Sequence, residues 1–292
     1  MIKPIVRWAG GKSKLVNRIL KDFPFSYDDE FTFYEPFGGG MAVSLFILQH
    51  YPKAKVIVSD INKNLIDLYT SIKLDVNLVA KHVNDISFEF LSLANRDQRK
   101  AFYYDIRDEY NKIQSGFTKS VLFLFLNKVG FNGLYRENSK GDYNVPCGDL
   151  PEKWFIKYAE TKQNTIINIP NLLKFGQLLA DRYVKLLLVD IVQTASIPDA
   201  DIYYFDPPYY GTFNDYNKNK FNVESHLRLV GIMKYIIDAG KYVIVNNSVT
   251  DIIVDTYTDI GLNVDMVDFD VNISGLDKGN KKKRYGLLGK NF

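Results

Sequence analysis

Short apolar runs recur in the N-terminal and C-terminal parts of the chain, and segments of helical character separate them. Runs of this length, rich in Val, Ile, Phe and Tyr, predict buried strands. The predicted strands are Phe31–Glu35, Lys55–Ser59, Val184–Val189, Ile202–Phe205, Lys241–Asn246 and Val264–Val271. The helices predicted between them are Met41–Tyr51, Asn64–Leu74 and Val223–Ala239. This alternation predicts an α/β fold with a doubly wound, mostly parallel sheet.

The alternation stops between about residues 76 and 165, where helical patterns follow one another directly. Helices are predicted over Asp97–Ile113 and Ser120–Lys128, and a segment rich in Gly, Asn and Asp follows them. We therefore expect a mainly helical domain, residues 76–164, inserted between two parts of the sheet domain, 1–75 and 165–292. Residues 130–149 are expected to form a hairpin or loop at its tip.

Composition narrows the class of protein. With 292 residues, 46% of them hydrophobic, the chain can bury a full core. One cysteine, Cys147, excludes an intrachain disulfide, and the three scattered His residues give no metal-ligand spacing. The Cys and His spacing therefore predicts chemistry without a metal. No apolar run is long enough to span a bilayer, so we expect a soluble, cytoplasmic protein.

The charge is unevenly distributed although the net charge is only +3. The first 21 residues contain six cations and no acid, and Lys281–Arg284 form a second basic run. Both runs suit a polyanionic partner, but a solvated surface explains them equally well.

The tetrapeptide Asp206-Pro207-Pro208-Tyr209 follows a predicted strand directly. Its prolines fix two φ angles and remove two donors, so the Asp206 carboxylate and the Asp206 and Pro207 carbonyls are available as acceptors. Two acceptors can hold both N–H bonds of the exocyclic amine of adenine or cytosine and restore the nucleophilicity of its nitrogen. The ring of Tyr209 can then stack on that nucleobase. The alternative is an ordinary turn with a capping Asp.

Two glycine-rich segments are candidate ligand loops. Glu35–Gly40 follows the first predicted strand, and Val43 occupies the position of the last glycine in a dinucleotide fingerprint. The loop therefore favours a nucleoside cofactor without a pyrophosphate. Asp60 follows about 20 residues later, where an acid can bind ribose hydroxyls, although an N-cap role is also open. The turn at Trp8–Lys12 lacks Walker spacing, which argues against an NTPase.

Five motifs then occur in one order: Trp8–Lys12, Glu35–Gly40, Ser59–Asn62, Phe131–Arg136 with Asn144–Pro146, and Asp206–Tyr209. Together they resemble the Dam family of DNA adenine-N6 methyltransferases over nearly the whole chain, in the order of the alpha group. The resemblance implies a seven-stranded methyltransferase sheet, S-adenosylmethionine as cofactor and double-stranded DNA as partner, with no obligatory protein partner. It also implies transfer of methyl to N6 of a flipped adenine, within GATC or a related GAT-containing site.

The resemblance implies roles for individual residues. The catalytic ones are Asp206, Pro207 and Tyr209. The cofactor contacts are Trp8, Ala9, Gly10, Gly11, Lys12, Glu35, Phe37, Gly38, Gly40, Asp60, Asp190 and Asp206. The DNA contacts are Arg7, Phe131, Asn132, Leu134, Arg136 and Pro146.

Among the DNA contacts, Phe131 and Asn132 resemble a wedge beside the extruded adenine, and Arg136 resembles a guanine reader. Arg7 resembles a basic residue near the first guanine. The chain departs from the family pattern at two places. Ile191 stands where the family often has Phe, and Asp149-Leu150 replaces an expected basic-aromatic pair. The first base of GATC is therefore the position of the expected recognition site that the resemblance defines least.

Three other functions remain open. An N4-cytosine methyltransferase would use similar acceptors, usually with Ser in place of Asp206. A protein-glutamine methyltransferase uses related acceptors but leaves the Phe131–Pro146 segment unexplained. A catalytically silent DNA-binding module would have no need of the Trp8–Lys12 turn.

Overall fold

The computed structural model describes residues 1–210, 221–269 and 284–292. The basic residues Lys281–Lys283 and the end of the predicted strand Val264–Val271 lie outside these ranges. The chain divides into two compact units. The first unit comprises Met1–Gly11 and Asn62–Leu186, and the second comprises Lys12–Ile61 and Leu187–Phe292.

Seven strands among the described residues form one sheet. They are β1 Thr32–Glu35, β2 Lys55–Asp60, β3 Val184–Leu188, β4 Ile202–Phe205, β5 Tyr242–Ser248, β6 Asn263–Phe269 and β7 Arg284–Lys290. The strand order is β3-β2-β1-β4-β5-β7-β6. β1 pairs in parallel with β2 and β4, β4 pairs in parallel with β5, and β7 is antiparallel to β5 and β6. The predicted, mostly parallel sheet of seven strands is therefore confirmed, and the sheet is mixed because β7 is antiparallel to its neighbours.

The same ranges contain ten α-helices. They are α1 Val16–Ile19, α2 Ala42–His50, α3 Lys63–Leu74, α4 Val76–Ser92, α5 Arg96–Lys112, α6 Phe117–Val129, α7 Glu152–Thr161, α8 Ile169–Asp181, α9 Val223–Asp238 and α10 Asp251–Asp259. Side-chain caps explain where several of them begin. Asn62, Asp75 and Asn95 each accept a backbone N–H from the first turn of the helix that follows.

In the second unit, the central strands and the helices beside them share one apolar core. Phe205, Val243 and Val245 pack with Leu229 and Met233 of α9. Each of these side chains is almost completely buried, and burial of one such side chain contributes about 1.5–3 kcal/mol. This packing fixes the carboxyl ends of β1, β2 and β4, where the predicted ligand residues lie.

In the first unit, the helices α3 to α8 form a helical insertion with its own aromatic core. Phe90 packs edge-on against Phe125 with a centroid distance of 5.4 Å. Tyr103 of α5 donates a hydrogen bond of 3.0 Å to the carbonyl of Val145. Asn111 holds both backbone groups of Tyr143, at 2.9 and 3.1 Å. The core therefore anchors the segment that follows α6.

Several elements differ from the sequence prediction, which includes neither β7 nor the helices α1, α4, α7, α8 and α10. β7 is absent from the predicted strands because its sequence, RYGLLGK, contains two glycines and little alternation. α6 begins at Phe117, one turn before the predicted Ser120. Within the described ranges, no helix is both long and apolar enough to cross a lipid bilayer.

Candidate active site and recognition segment

Asp206 follows β4 directly, and its two carboxylate oxygens have different surroundings. Oδ2 lies 2.6 Å from Nζ of Lys12, which is only 5% exposed. Oδ1 is buried and has no hydrogen-bond partner among the described residues. Burial raises the pKa of Asp206, whereas the charge of Lys12 and its hydrogen bond lower that pKa. The ion pair thus orients the carboxylate and leaves one acceptor for a ligand.

Glu35, at the end of β1, is buried in the same unit. Its Oε2 accepts a hydrogen bond of 3.0 Å from the backbone N of Ser44 and a second one from the Ser44 hydroxyl. Burial raises its pKa from 4.5 to about 8, although both bonds from Ser44 and the charge of Lys12 lower that pKa. Burial therefore favours the protonated form of Glu35 more than in a free carboxyl group, and the positive charge of Lys12 compensates Asp206.

The residue that follows the tetrapeptide, Tyr210, is held by β5. Pro207 is buried and Pro208 is exposed. The Lys12 Nζ lies 5.2 Å from the centre of the Tyr209 ring. The next residue, Tyr210, donates its backbone N–H to Asn247 at 3.0 Å and accepts the Ser248 hydroxyl at 2.8 Å. These bonds fix the backbone on the far side of the two prolines.

The glycine turn after β1 approaches β2 closely. The backbone N of Gly38 donates to the carbonyl of Ser59 at 2.8 Å, and a Cβ on Gly38 would lie 2.4 Å from Cγ1 of Val58. Gly39, with a φ of 44°, donates its N–H to Oδ2 of Asp60 at 2.9 Å. The structure therefore joins the glycine turn to the predicted ribose-binding acid.

Two further predicted cofactor residues lie near this edge of the sheet. Asp190 follows β3, and its Oδ1 accepts the backbone N of Val192 at 3.0 Å. Ile191, at the position where the family often has Phe, is 1% exposed and belongs to the core of the unit. Phe37 packs against Phe221 with a centroid distance of 6.0 Å.

In the first unit, Arg136 and Asn144 form the base of a hairpin. The backbone N of Asn144 donates to the carbonyl of Arg136 at 3.0 Å. The guanidinium of Arg136 donates from Nε to Oδ1 of Asn144 at 2.7 Å and from Nη2 to the Asn144 carbonyl at 3.2 Å. Two bonds from different nitrogens fix the orientation of the guanidinium, as bidentate recognition requires.

The predicted wedge lies beside this hairpin. Phe131 and Leu134 are each 40% exposed, so both apolar side chains reach the surface of the unit. The backbone N of Phe131 donates to the carbonyl of Pro146 at 2.9 Å, and Pro146 is itself exposed. Asn132 has a φ of 53°, which turns the chain sharply. The structure thus brings together four of the predicted DNA contacts on one surface of the unit.

The N-terminal turn belongs partly to this unit. Trp8 packs on Tyr135 with a centroid distance of 5.7 Å, and the N–H of Gly11 donates to the Trp8 carbonyl at 3.3 Å. Ala9, Gly10 and Gly11 are exposed. The exposed Arg7 is bound through its backbone to Asn127 at 2.7 Å.

Sequence reasoning missed several polar residues that hold the predicted ones in place. They are Gly39, Asn127, Asn144, Asn247 and Ser44. Gly39 and Asn144 lie within recognised motifs, so their positions could have indicated them. Asn127 and Asn247 bind residues remote in sequence, and Ser44 binds Glu35 nine residues away; no local pattern marks these three.

Comparisons with known proteins agree with this geometry. The family model of the D12 class N6 adenine-specific DNA methyltransferases matches residues 8–268. The type II methyltransferase M.MjaIII of Methanocaldococcus jannaschii is 35% identical over 85% of this chain and 84% of its own length. The retron Ec67 DNA adenine methylase of Escherichia coli is 33% identical, over 87% of this chain and 80% of its length.

The DNA adenine methylase of Escherichia coli K12 is 29% identical, and the match covers 98% of this chain and 94% of that protein. The family match spans β1 to β5 and the helical insertion, and each of these relatives covers 85% or more of this chain. The cofactor of such enzymes is S-adenosylmethionine. The chain belongs to the D12 class of N6 adenine-specific DNA methyltransferases.

Proposed function

We propose that this DNA adenine methyltransferase acts on an adenine flipped out of double-stranded DNA, within GATC or a related GAT-containing site. The observation that carries the catalytic part is Asp206, with one oxygen held by buried Lys12 and the other buried without a hydrogen-bond partner among the described residues. A buried polar atom of this kind suits a ligand donor, because an unpaired acceptor otherwise costs about 1–3 kcal/mol.

The residues fit an amino group as the reacting centre. Oδ1 of Asp206 and the carbonyl of Pro207 accept the two N–H bonds of N6 and draw its lone pair out of the ring. S-adenosylmethionine, when bound, supplies a methyl group on a sulfonium sulfur, which keeps the electron pair of the broken C–S bond. Asp206, whose carboxylate form is stabilised by the charge of Lys12, accepts the proton that N6 releases. Tyr209 stacks on the flipped base.

The glycine turn and the acids beside it fit the cofactor. The Gly39–Asp60 bond places a carboxylate next to a turn that a ligand can approach closely, as expected for ribose hydroxyls. Asp190 and Phe37 are assigned as contacts to the adenosine part of S-adenosylmethionine. The turn Trp8–Lys12 is assigned as the contact from the N-terminal segment. Glu35 supports this site through its bonds to Ser44 at the start of α2.

Residues 76–164 are proposed as the target-recognition domain, with 130–149 at its tip. Arg136, oriented by Asn144, suits bidentate reading of a guanine edge. The exposed Phe131 is assigned as the wedge that fills the space left by the adenine, and Asn132 pairs with the orphaned thymine. Leu134 and Pro146 make apolar contacts with neighbouring bases.

In this proposal, recognition of the first base of the DNA site depends on Arg7. Leu150, at the position of the expected aromatic, is 8% exposed and has a φ of 49°. Its side chain is packed inside the unit, so it supplies no contact to a base edge. Arg7, which is exposed, is the remaining candidate for the first guanine.

The test is transfer of labelled methyl from S-adenosylmethionine to matched unmethylated duplexes, one with GATC and the others with one base changed in turn. Label restricted to GATC, recovered as N6-methyladenine by mass spectrometry, supports the proposal. Label that survives every change of the first G limits the site to the remaining bases. Equal label in all adenine-containing duplexes refutes the proposed site.

A second test addresses the roles of Asp206 and Arg136 separately. Asp206→Asn keeps the size of the side chain but removes the charge, and we expect turnover to fall by about two orders of magnitude or more, as for loss of an aimed catalytic acceptor. Arg136→Ala should instead relax preference at one base pair by about 1–3 kcal/mol while transfer continues. Near-normal turnover of Asp206→Asn would refute the mechanism.

A further inference from the structure

Asn127 is a polar residue of α6 that is completely buried. Its Oδ1 accepts the backbone N–H of Arg7 at 2.7 Å, and its Nδ2 donates to the Arg7 carbonyl at 2.8 Å. Nδ2 also donates to the carbonyl of Gly133 at 3.3 Å. The amide of Asn127 thus uses its acceptor and both of its donors, and it joins two segments that are remote from each other in sequence.

The two bonds between the Asn127 amide and the backbone of Arg7 resemble the pair of backbone hydrogen bonds that joins two β-strands. Because both the N–H and the C=O of Arg7 are held, the point from which its side chain leaves the backbone is fixed. Gly133 closes the turn that carries Phe131 and Asn132, and its carbonyl is bound by the same amide. Asn127 therefore fixes the position of Arg7 relative to this turn.

Steric contact joins the same two segments. Gly133 has a φ of 63°, and a Cβ placed on it would lie 2.3 Å from Cβ of Arg7. Such a distance is far below van der Waals contact, so only glycine permits this approach. The hydrogen bonds and the close packing indicate the same junction independently.

We propose that Asn127 is a positioning residue for DNA recognition, which locks the Arg7 backbone to the Phe131–Gly133 turn. The contact with the first guanine and the wedge then enter the DNA as one rigid element. This inference rests on the proposed function, since it requires that Arg7 and Phe131 contact DNA.

The chain offers a matched control for each side of the junction. Asn171 holds Lys3 through the same pair of backbone bonds, each 2.9 Å, but binds no part of the recognition turn. Gly240, which follows α9 outside the recognition segment, also has a positive φ, 74°, yet a Cβ there would meet no atom within 4 Å. Asn171→Ala and Gly240→Ala therefore reproduce the general cost of each substitution without affecting the junction.

The experiment compares Asn127→Ala and Gly133→Ala with these two controls. The first measurement is the ratio of kcat/KM for GATC to that for the duplex with the first G changed. The second is the fluorescence of 2-aminopurine at the target position, which reports extrusion of the base. A well-read position discriminates by about 10- to 100-fold, and we expect both junction variants to lose about tenfold of this ratio. We also expect weaker 2-aminopurine fluorescence in both.

The outcomes separate this inference from the proposal on which it rests. Loss of discrimination in the two junction variants, with the ratio retained in the two controls, supports it. Retention in all four variants, or equal loss in the controls, overturns it while the wild-type preference for GATC stands. If the wild-type enzyme has no preference at the first base, the proposed role of Arg7 is wrong and the inference is refuted with it. Gly133→Ala carries the test alone if Asn127→Ala does not fold.

Discussion

Replacement of Lys12 by Met should change the pH dependence of methyl transfer. Lys12 is 5% exposed, and its Nζ lies 2.6 Å from Oδ2 of Asp206. At an effective dielectric constant of about 20, Coulomb's law gives about 6 kcal/mol for two unit charges at that separation. The side chain of Asp206 is 18% exposed, so solvent and relaxation reduce this value.

The expected result follows from the sign of the interaction. Lys12 lowers the pKa of Asp206, whereas burial raises it. Without the cation the carboxyl group protonates at higher pH, and the acid limb of kcat should move to higher pH. Below the new limb, kcat should fall about tenfold for each pH unit.

The assay is kcat at saturating DNA and S-adenosylmethionine from about pH 6 to about pH 9. Lys12→Arg retains the charge and should keep the limb near its original position. Lys14→Met removes an exposed cation two residues later and should not move it. A Lys12→Met enzyme whose kcat falls by the same factor at every pH would refute the idea that Lys12 keeps Asp206 ionised.

Three further predictions concern stability and specificity. Burial raises the pKa of Glu35 from 4.5 to about 8. The contribution of the protonated Glu35 carboxyl group to the free energy of unfolding is therefore complete below the unfolded-state pKa and is lost as pH rises through the folded-state pKa. Calorimetry of Glu35→Gln should therefore show a smaller fall in melting temperature across that range, and parallel curves for both proteins would contradict this. Gly38→Ala should lower the free energy of unfolding in urea by about 1–3 kcal/mol, because the new Cβ would lie 2.4 Å from a side chain of β2. Gly231→Ala, in open space on α9, should instead stabilise by up to about 1 kcal/mol. Asn144→Ala frees the Arg136 guanidinium and should reduce discrimination at the base it reads about tenfold, with kcat on the preferred site little changed; unchanged discrimination would show that Arg136 needs no support.

The fold, and the edge of the sheet where the proposed catalytic and cofactor residues lie, follow from local sequence. Apolar runs between polar turns mark strands because a buried strand must be apolar on both faces. Asp60 ends one strand, and Asp206 follows another directly. Since parallel strands present their carboxyl ends at one edge of the sheet, their approximate neighbourhood is predictable from the sequence. The ordered motifs then lead to the family, which the comparisons confirm.

Only the tertiary structure decides how these residues are charged and held. Lys12 and Asp206 are separated by 194 positions, and no local pattern specifies that they meet at 2.6 Å. The raised pKa of Glu35 depends on burial, which is a property of the assembled core. Asn127 resembles any polar residue near a helix end until its bonds to Arg7 and Gly133 are seen. The sequence by itself determined which elements form and which residues follow them, because hydrophobic periodicity and turn chemistry act over short distances. Contacts between remote segments, and the charge states that depend on them, exist only once the chain has folded.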